Sequence, residues 1–245
     1  VLTTAAAVLA KDLRIELRSK VAVAQLLPFT IVTVVLFAFA LDPNASLRGA
    51  TPGLFWVAVL LVLLLGVQRS YALETADGAL DAVRMNGLEP AGVFLGKTCA
   101  LALQLVAVEA VMAAAMLVLY DPTKRGAVLD PAGQLVAATP FHASFSGVVL
   151  FVTTMVAASI GLAATGTLFG ALTAGSRLRD TLLPLLVFPV VAPVLIFATR
   201  ATEATLGIDK ATPSDGWPAV VRLTVFTAVS VATGLLAFGP LSEEA

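Results

Sequence analysis

Six long apolar stretches, separated by short polar connections, leave this 245-residue chain few ways to fold. They run from Val21 to Leu41, Leu54 to Ala72, Ala91 to Tyr120, Gly147 to Leu172, Leu182 to Thr199 and Ala219 to Phe238. About 20 apolar helical residues, at a rise of about 1.5 Å each, cross the hydrocarbon core of a bilayer, where the backbone must satisfy its own polar groups. The stretches predict an all-α integral membrane protein built as a six-helix transmembrane bundle, one domain over residues 1–245. Hydrophobic residues make up 59% of the chain and charged residues 13%, so little remains outside the stretches except connections and a basic N-terminal segment. That leaves no room for a soluble catalytic domain.

The net charge of −1 argues against a nucleic-acid partner, and the lone Cys99 cannot form an internal disulfide. The mildly apolar Val1 to Ala10 precedes the charges of Lys11 to Lys20, the reverse of a secretory signal, so no cleaved leader is expected. If the N-terminus is inside, nine Lys and Arg residues face the cytoplasm (11, 14, 18, 20, 69, 84, 97, 177 and 179) and six face outward (48, 124, 125, 200, 210 and 222). This bias places both termini in the cytoplasm of a multi-pass plasma-membrane protein. Within the cytoplasmic segment 1–20, Leu9, Leu13 and Leu17 recur at helical spacing, and Glu16 can pair with Lys20. The segment reads as an amphipathic helix lying in the membrane interface, either a positive anchor or an elbow that steers the first span.

Between the second and third stretches, Leu73, Ala76, Leu80 and Val83 alternate with a second stripe of Glu74, Asp77, Asp81 and Arg84, and Asn86, Gly87 and Pro90 then stop the helix. This predicts a short amphipathic helix on the cytoplasmic face, a solvated connector or a point where a detached ATPase delivers force. Next comes GVFLGKT, Gly92 to Thr98, which ends like a phosphate-binding loop. Ala91 stands where that motif needs its first glycine, bulky residues fill the loop and no strand precedes it, so nucleotide binding is not expected. Lys97 is expected to snorkel to headgroups.

Inside the bundle, Gly166, Gly170 and Ala174 lie four apart, with Ala157 and Gly161 one step earlier, a pattern that admits a neighbouring backbone. Pro184, Pro189 and Pro193 each remove an amide donor from the fifth stretch, which should bend it, by simple kinking or at a moving interface. Glu109 is the carboxylate farthest from any stretch end; a charge there is costly, so it should face the bundle or a partner, or be protonated, unless the stretch is overlong and Glu109 lies nearer the interface. His142, the single histidine, has no second ligand or CxxCH sequence near it, and no metal cluster, catalytic triad or paired carboxylates appear. No enzyme reading has residues to name.

Thr51 to Val83, TPGLFWVAVLLVLLLGVQRSYALETADGALDAV, resembles the second span and following loop of the CcmB family, the membrane subunit of the cytochrome c maturation ABC transporter. The likeness rests on Pro52, Gly53, Trp56, Arg69, Glu74, Asp77, Gly78 and Leu80, and extends to the proline-bearing Leu183 to Thr199 and to the opening Asp12 to Lys20. The resemblance implies an ABC-2-like permease with an N-terminal interfacial helix and a short cytoplasmic coupling helix, carrying no ATPase or cofactor of its own. It implies a CcmA-like ATP-binding partner that holds ATP and magnesium, CcmC- and CcmD-like haem-handling membrane proteins, and a CcmE-like haem chaperone. Glu74, Asp77, Gly78, Leu80, Asp81 and Arg84 would couple to the ATPase; Glu109, Gly166, Gly170, Pro184, Pro189 and Pro193 would serve the bundle or a moving interface. Hydrolysis would drive either haem export or release of the loaded chaperone. The outer loop from Asp121 to Ser146 is longer and more polar than the family pattern. Two other readings use the same residues: an ABC-2-type permease exporting a lipid, drug or polysaccharide, and an intramembrane enzyme or carrier, which would want more polar residues in the spans.

Overall fold

Uninterrupted apolar sequence leaves the backbone no partner but itself, and five helices follow from it. The computed structural model describes residues 1–19, 28–33, 35, 50–76, 89–119, 128–129, 135–136, 145–176, 178–208 and 211–244. Helix α1 spans Leu2–Ser19, α2 Thr51–Ala76, α3 Pro90–Leu119, α4 Phe145–Thr173, α5 Arg179–Leu206 and α6 Pro213–Glu244. Helices α2 to α6 are each long and apolar enough to cross a membrane. Of the first predicted span, residues 28–33 and 35 are helical, Thr30 is buried and Phe29 packs on the main core; the rest of Val21 to Leu41 lies outside the described residues. The all-α expectation needs one amendment, a two-residue antiparallel pairing of β1, Val128–Leu129, with β2, Leu135–Val136, within the predicted outer loop.

Successive helices α2 to α6 alternate in direction. Gly170 lies against Tyr71, Gly239 against Pro90 and Gly216 against Ala204, so Ala76, Pro90, Thr173, Arg179 and Glu244 gather at one end of the bundle. Helices α2 and α4 are the most enclosed of the five, while α5 and α6 bury only a narrow face. On α6, Val221, Val225 and Val229 repeat every fourth residue and are about 60% exposed, as a lipid-facing stripe requires. The core runs from Trp56, Leu63 and Tyr71 of α2 through Phe94 and Leu105 of α3 to Leu162 of α4 and Val187 and Val194 of α5.

Polar groups in these helices are mostly consumed locally or used as pins between neighbours. Thr153, Thr154, Thr165 and Thr173 each donate to the carbonyl four residues earlier on α4. Trp56 Nε1 donates to Thr202 Oγ1 at 3.0 Å, tying α2 to α5; Tyr71 Oη donates to the Thr167 carbonyl at 2.7 Å, tying α2 to α4; Thr227 Oγ1 donates to the Ala157 carbonyl at 2.9 Å, tying α6 to α4. Helix α6 opens with one half of a capping box: Asp215 accepts from both the amide and the hydroxyl of Thr212, with Pro213 between them as the first helical residue. Gly207, at φ 65°, closes α5 in the left-handed conformation that glycine adopts without strain.

Three expectations change. The N-terminal helix, Leu2–Ser19, packs along α3, and the face it buries is not the expected leucine stripe. Its buried face carries Ala5, Val8, Asp12 and Glu16, whereas Leu17, expected in the apolar stripe, is 81% exposed; acids turn inward because Arg69 and Lys97 wait there. Lys97 does not snorkel: it is 3% exposed. Finally, α2 continues through Ala76, so residues 73–76 form its last turn and not the start of a separate helix.

Candidate functional site

The end of the bundle that carries α1 holds a polar cluster among the described residues. Two glycines of α3 create it. A Cβ on Gly92 would stand 2.7 Å from Thr4 Cβ, and one on Gly96 would stand 2.7 Å from both the Ala5 carbonyl oxygen and Val8 Cβ. Gly92 and Gly96 therefore let α1 and α3 run in backbone contact, the small-xxx-small arrangement of membrane helices. The two glycines that imitate a phosphate loop in the sequence are packing residues, and the following lysine is enclosed. Lys97 Nζ lies 4.9 Å from the centre of the Tyr71 ring, 3.5 Å from Ser70 Oγ and 3.9 Å from Asp12 Oδ2.

Next along α1, Glu16 Oε1 accepts from Arg69 at 3.1 Å and from Gln104 Nε2 at 3.2 Å. One carboxylate thus bridges α2 and α3. Side chains of Asp12 and Glu16 are only 17% and 27% exposed, so these pairs are screened less than surface ion pairs. A cavity of about 70 Å³ remains between the three helices, bordered by Glu16, Gly66, Arg69 and Gln104, room for a few waters. From Lys97 the contacts continue through Tyr71 to the Thr167 carbonyl, and thence into α4. Side-chain contacts thereby link α1 to α2 and α3 directly and, through Tyr71, to α4.

The predicted bundle residues fall elsewhere. Glu109 is fully buried on α3; its Oε1 accepts from Ser159 Oγ of α4 at 2.9 Å, and its Oε2 has no hydrogen-bond partner among the described residues. Such an oxygen, held away from water, costs stability unless something else uses it. Gly166 lies against Val67 and Leu63, and Gly170 against Tyr71 and Val67, so both admit α2 to the surface of α4. Helix α5 runs unbroken through Pro184, Pro189 and Pro193. Proline at 184 leaves the Asp180 carbonyl without its helical donor, and Gln68 Nε2 of α2 approaches that oxygen at 3.5 Å. Pro189 is exposed, while Pro184 and Pro193 border the buried face set by Leu183, Val187, Val191 and Val194.

Of the predicted coupling residues, Glu74 lies on the last turn of α2, and Asp77, Gly78, Leu80, Asp81 and Arg84 lie outside the described residues, as does His142. The described residues that flank them, Ala76 and Glu89, lie at the same end as α1. The α1 seam itself escaped the sequence reading. Its signal was present: Gly92-x-x-x-Gly96 on one helix, and Asp12 and Glu16 one turn apart on another, with Arg69 and Lys97 as the basic residues within α2 and α3.

Comparison with known proteins covers the whole of this architecture. The family model described as CcmB protein matches residues 3–129 and 132–240. The chain is similar to Heme exporter protein B of Paracoccus denitrificans, 29% identical over 98% of this chain and 96% of that protein. It is similarly related to Heme exporter protein B of Rhodobacter capsulatus, 29% identical over 79% of this chain and 80% of the relative, and of Pseudomonas aeruginosa, 27% identical over 93% and 94%.

Proposed function

This chain belongs to the CcmB family, and from that premise we propose that it is the membrane subunit of a transporter complex for cytochrome c maturation, driven by a separate cytoplasmic ATPase. The observation that carries the proposal is the family match over nearly the full length, laid on a bundle of five apolar membrane-crossing helices. The fate of the GKT sequence supports an external energy source: Gly92 and Gly96 are closed by α1 and Lys97 lies beneath Tyr71, so no phosphate reaches that lysine. ATP and magnesium belong to a CcmA-like partner.

In this reading residues 21–41 form a first span, giving six, and both termini lie in the cytoplasm of the bacterial inner membrane. The bundle is a single permease domain of the ABC-2 type. The end that gathers α1 and the 77–88 connection is then cytoplasmic, and Glu74, Asp77, Gly78, Leu80, Asp81 and Arg84 receive the ATPase. Motion enters at that connection and passes through the α1 seam, Tyr71 and the Gly166–Gly170 face into α4. Haem is cargo, handled with CcmC- and CcmD-like proteins and a CcmE-like chaperone. The close packing around Glu109 and the small size of the α1 cavity support release of the loaded chaperone over passage of haem through this subunit.

Complementation tests the proposal. A host lacking its own CcmB-type subunit should regain c-type cytochromes when it expresses this chain with its neighbouring ATPase and haem-handling proteins. Holocytochrome levels unchanged by the chain, despite membrane insertion and assembly, would sink it.

A further inference from the structure

Helix α1 separates its charges by face. Its two acids, Asp12 and Glu16, turn into the seam and meet Lys97, Arg69 and Gln104. Its outer face is left with Arg14 and Arg18, both exposed, Leu17 at 81% exposure, and Lys11 along the edge, its side chain 42% exposed and already beside Asp12. Arg14 and Arg18 have no acidic partner among the described residues. A helix of mixed sequence therefore presents a surface that is cationic and apolar and carries no exposed acid.

The level of this surface in the bundle gives its partner. On α2 the uncharged run that begins at Thr51 ends at Arg69; Lys97 is the charge on α3 at the same level, and Arg179 and Asp180 open α5 at that end. Polar residues on three helices thus form a collar where apolar sequence gives way, and Arg14 and Arg18 project beside it. A cationic face with an exposed leucine at such a collar is suited to headgroups that carry negative charge, the arginines taking the phosphates and the leucine the acyl boundary.

We propose that the outer face of α1, through Arg14, Arg18 and Leu17, is a contact surface for anionic phospholipid headgroups, with the inward acids holding the helix in place. The proposal is independent of the transporter reading. It predicts that lipid composition sets how firmly α1 stays seated, since headgroups pull on the face opposite the Glu16–Arg69 bridge.

The test uses the full chain in mild detergent, titrated with phosphatidylglycerol or phosphatidylcholine, with bound lipids counted by native mass spectrometry. Each arginine near an anionic surface contributes about fivefold in affinity, so Arg14→Gln with Arg18→Gln should weaken phosphatidylglycerol binding about 30-fold. Arg14→Lys with Arg18→Lys should stay within about threefold of the parent. Arg200→Gln with Arg222→Gln, which removes the same charge from the opposite end, should also stay within about threefold. Because Arg14 and Arg18 are exposed and contribute nothing to the core, an unchanged melting temperature is expected. Undiminished phosphatidylglycerol binding by the glutamine pair, equal loss in the opposite-end pair, or equal affinity for phosphatidylcholine would overturn the proposal. Competition by free glycerol phosphate as effective as that by the lipid would assign the site to a soluble anion and overturn it likewise.

Discussion

Replacing Gly92 and Gly96 together by alanine should unseat α1. Each new methyl would start 2.7 Å from an atom that cannot swing aside: Thr4 Cβ for Gly92, and the Ala5 carbonyl oxygen and Val8 Cβ for Gly96. Ordinary contact needs roughly another 1 Å, so α1 must withdraw as a unit. Overpacking of this kind costs about 1–3 kcal/mol per site. One displacement relieves both clashes, so the combined cost is about 2–4 kcal/mol rather than the sum. Withdrawal also lengthens the Glu16–Arg69 contact from 3.1 Å and the Asp12–Lys97 contact from 3.9 Å, leaving a buried lysine without its acid. The assay is maleimide labelling of Val8→Cys, a position 7% exposed, in a Cys99→Ser background. Labelling should accelerate at least about 30-fold in the alanine pair, the factor that 2 kcal/mol gives for an opening equilibrium. Leu17→Cys, on the exposed face, should label rapidly in both. Equally slow labelling at position 8, with an unchanged melting temperature, would refute the reasoning that glycine at 92 and 96 is what seats the helix.

Trp56→Phe should lose about 1–3 kcal/mol, read as a lower melting temperature, because the buried Thr202 hydroxyl loses its 3.0 Å donor; an unchanged value would mean Thr202 is satisfied by its own bond to the Ala198 carbonyl. Glu109→Leu should change stability by less than about 1 kcal/mol, since it removes a buried oxygen without a partner and leaves Ser159 able to bond back along α4; cytochrome c maturation should nevertheless fall at least about tenfold, and a destabilised but active variant would make Glu109 structural. Pro189→Ala with Pro193→Ala restores two backbone donors on a helix that is already continuous, so insertion should be unaffected and stability equal or higher. Reduced maturation with intact assembly would show that α5 must bend, and normal maturation would assign the prolines to packing alone.

The spans were legible because apolar length is a cumulative signal that no single residue can cancel: the stretch from Gly147 to Leu172 became α4, Phe145–Thr173, and Ala219 to Phe238 became the middle of α6. Helix ends were less so, since Thr212 and Asp215 cap α6 from polar sequence beyond the apolar run. In α1 the leucine spacing does not mark the buried face. Leu9, Leu13 and Leu17 define a stripe, yet a polar seam between α2 and α3 offers Arg69 and Lys97 to Asp12 and Glu16, and those pairings outweigh the burial of Leu17. Periodicity assumes that the inside is apolar, and here it is not. The spacing of Gly92 and Gly96, which imitates a nucleotide motif, equally describes close helix packing. For Glu109 the sequence leaves open a place facing the bundle or a partner and one nearer the interface, and nothing in it points to Ser159 as the partner.

The central claim is that a separate ATPase drives this subunit through the connection after α2, and capture of that ATPase tests it most directly. The tagged chain, coexpressed with its ATP-binding partner, is purified in mild detergent and the partner quantified per mole of chain. Asp77→Lys with Asp81→Lys, which reverses two charges of the coupling stripe, should reduce capture at least about tenfold, while membrane insertion and the melting temperature stay as in the parent. Capture equal to the parent's would contradict the account, and would mean that force enters this bundle elsewhere than through the 77–88 connection.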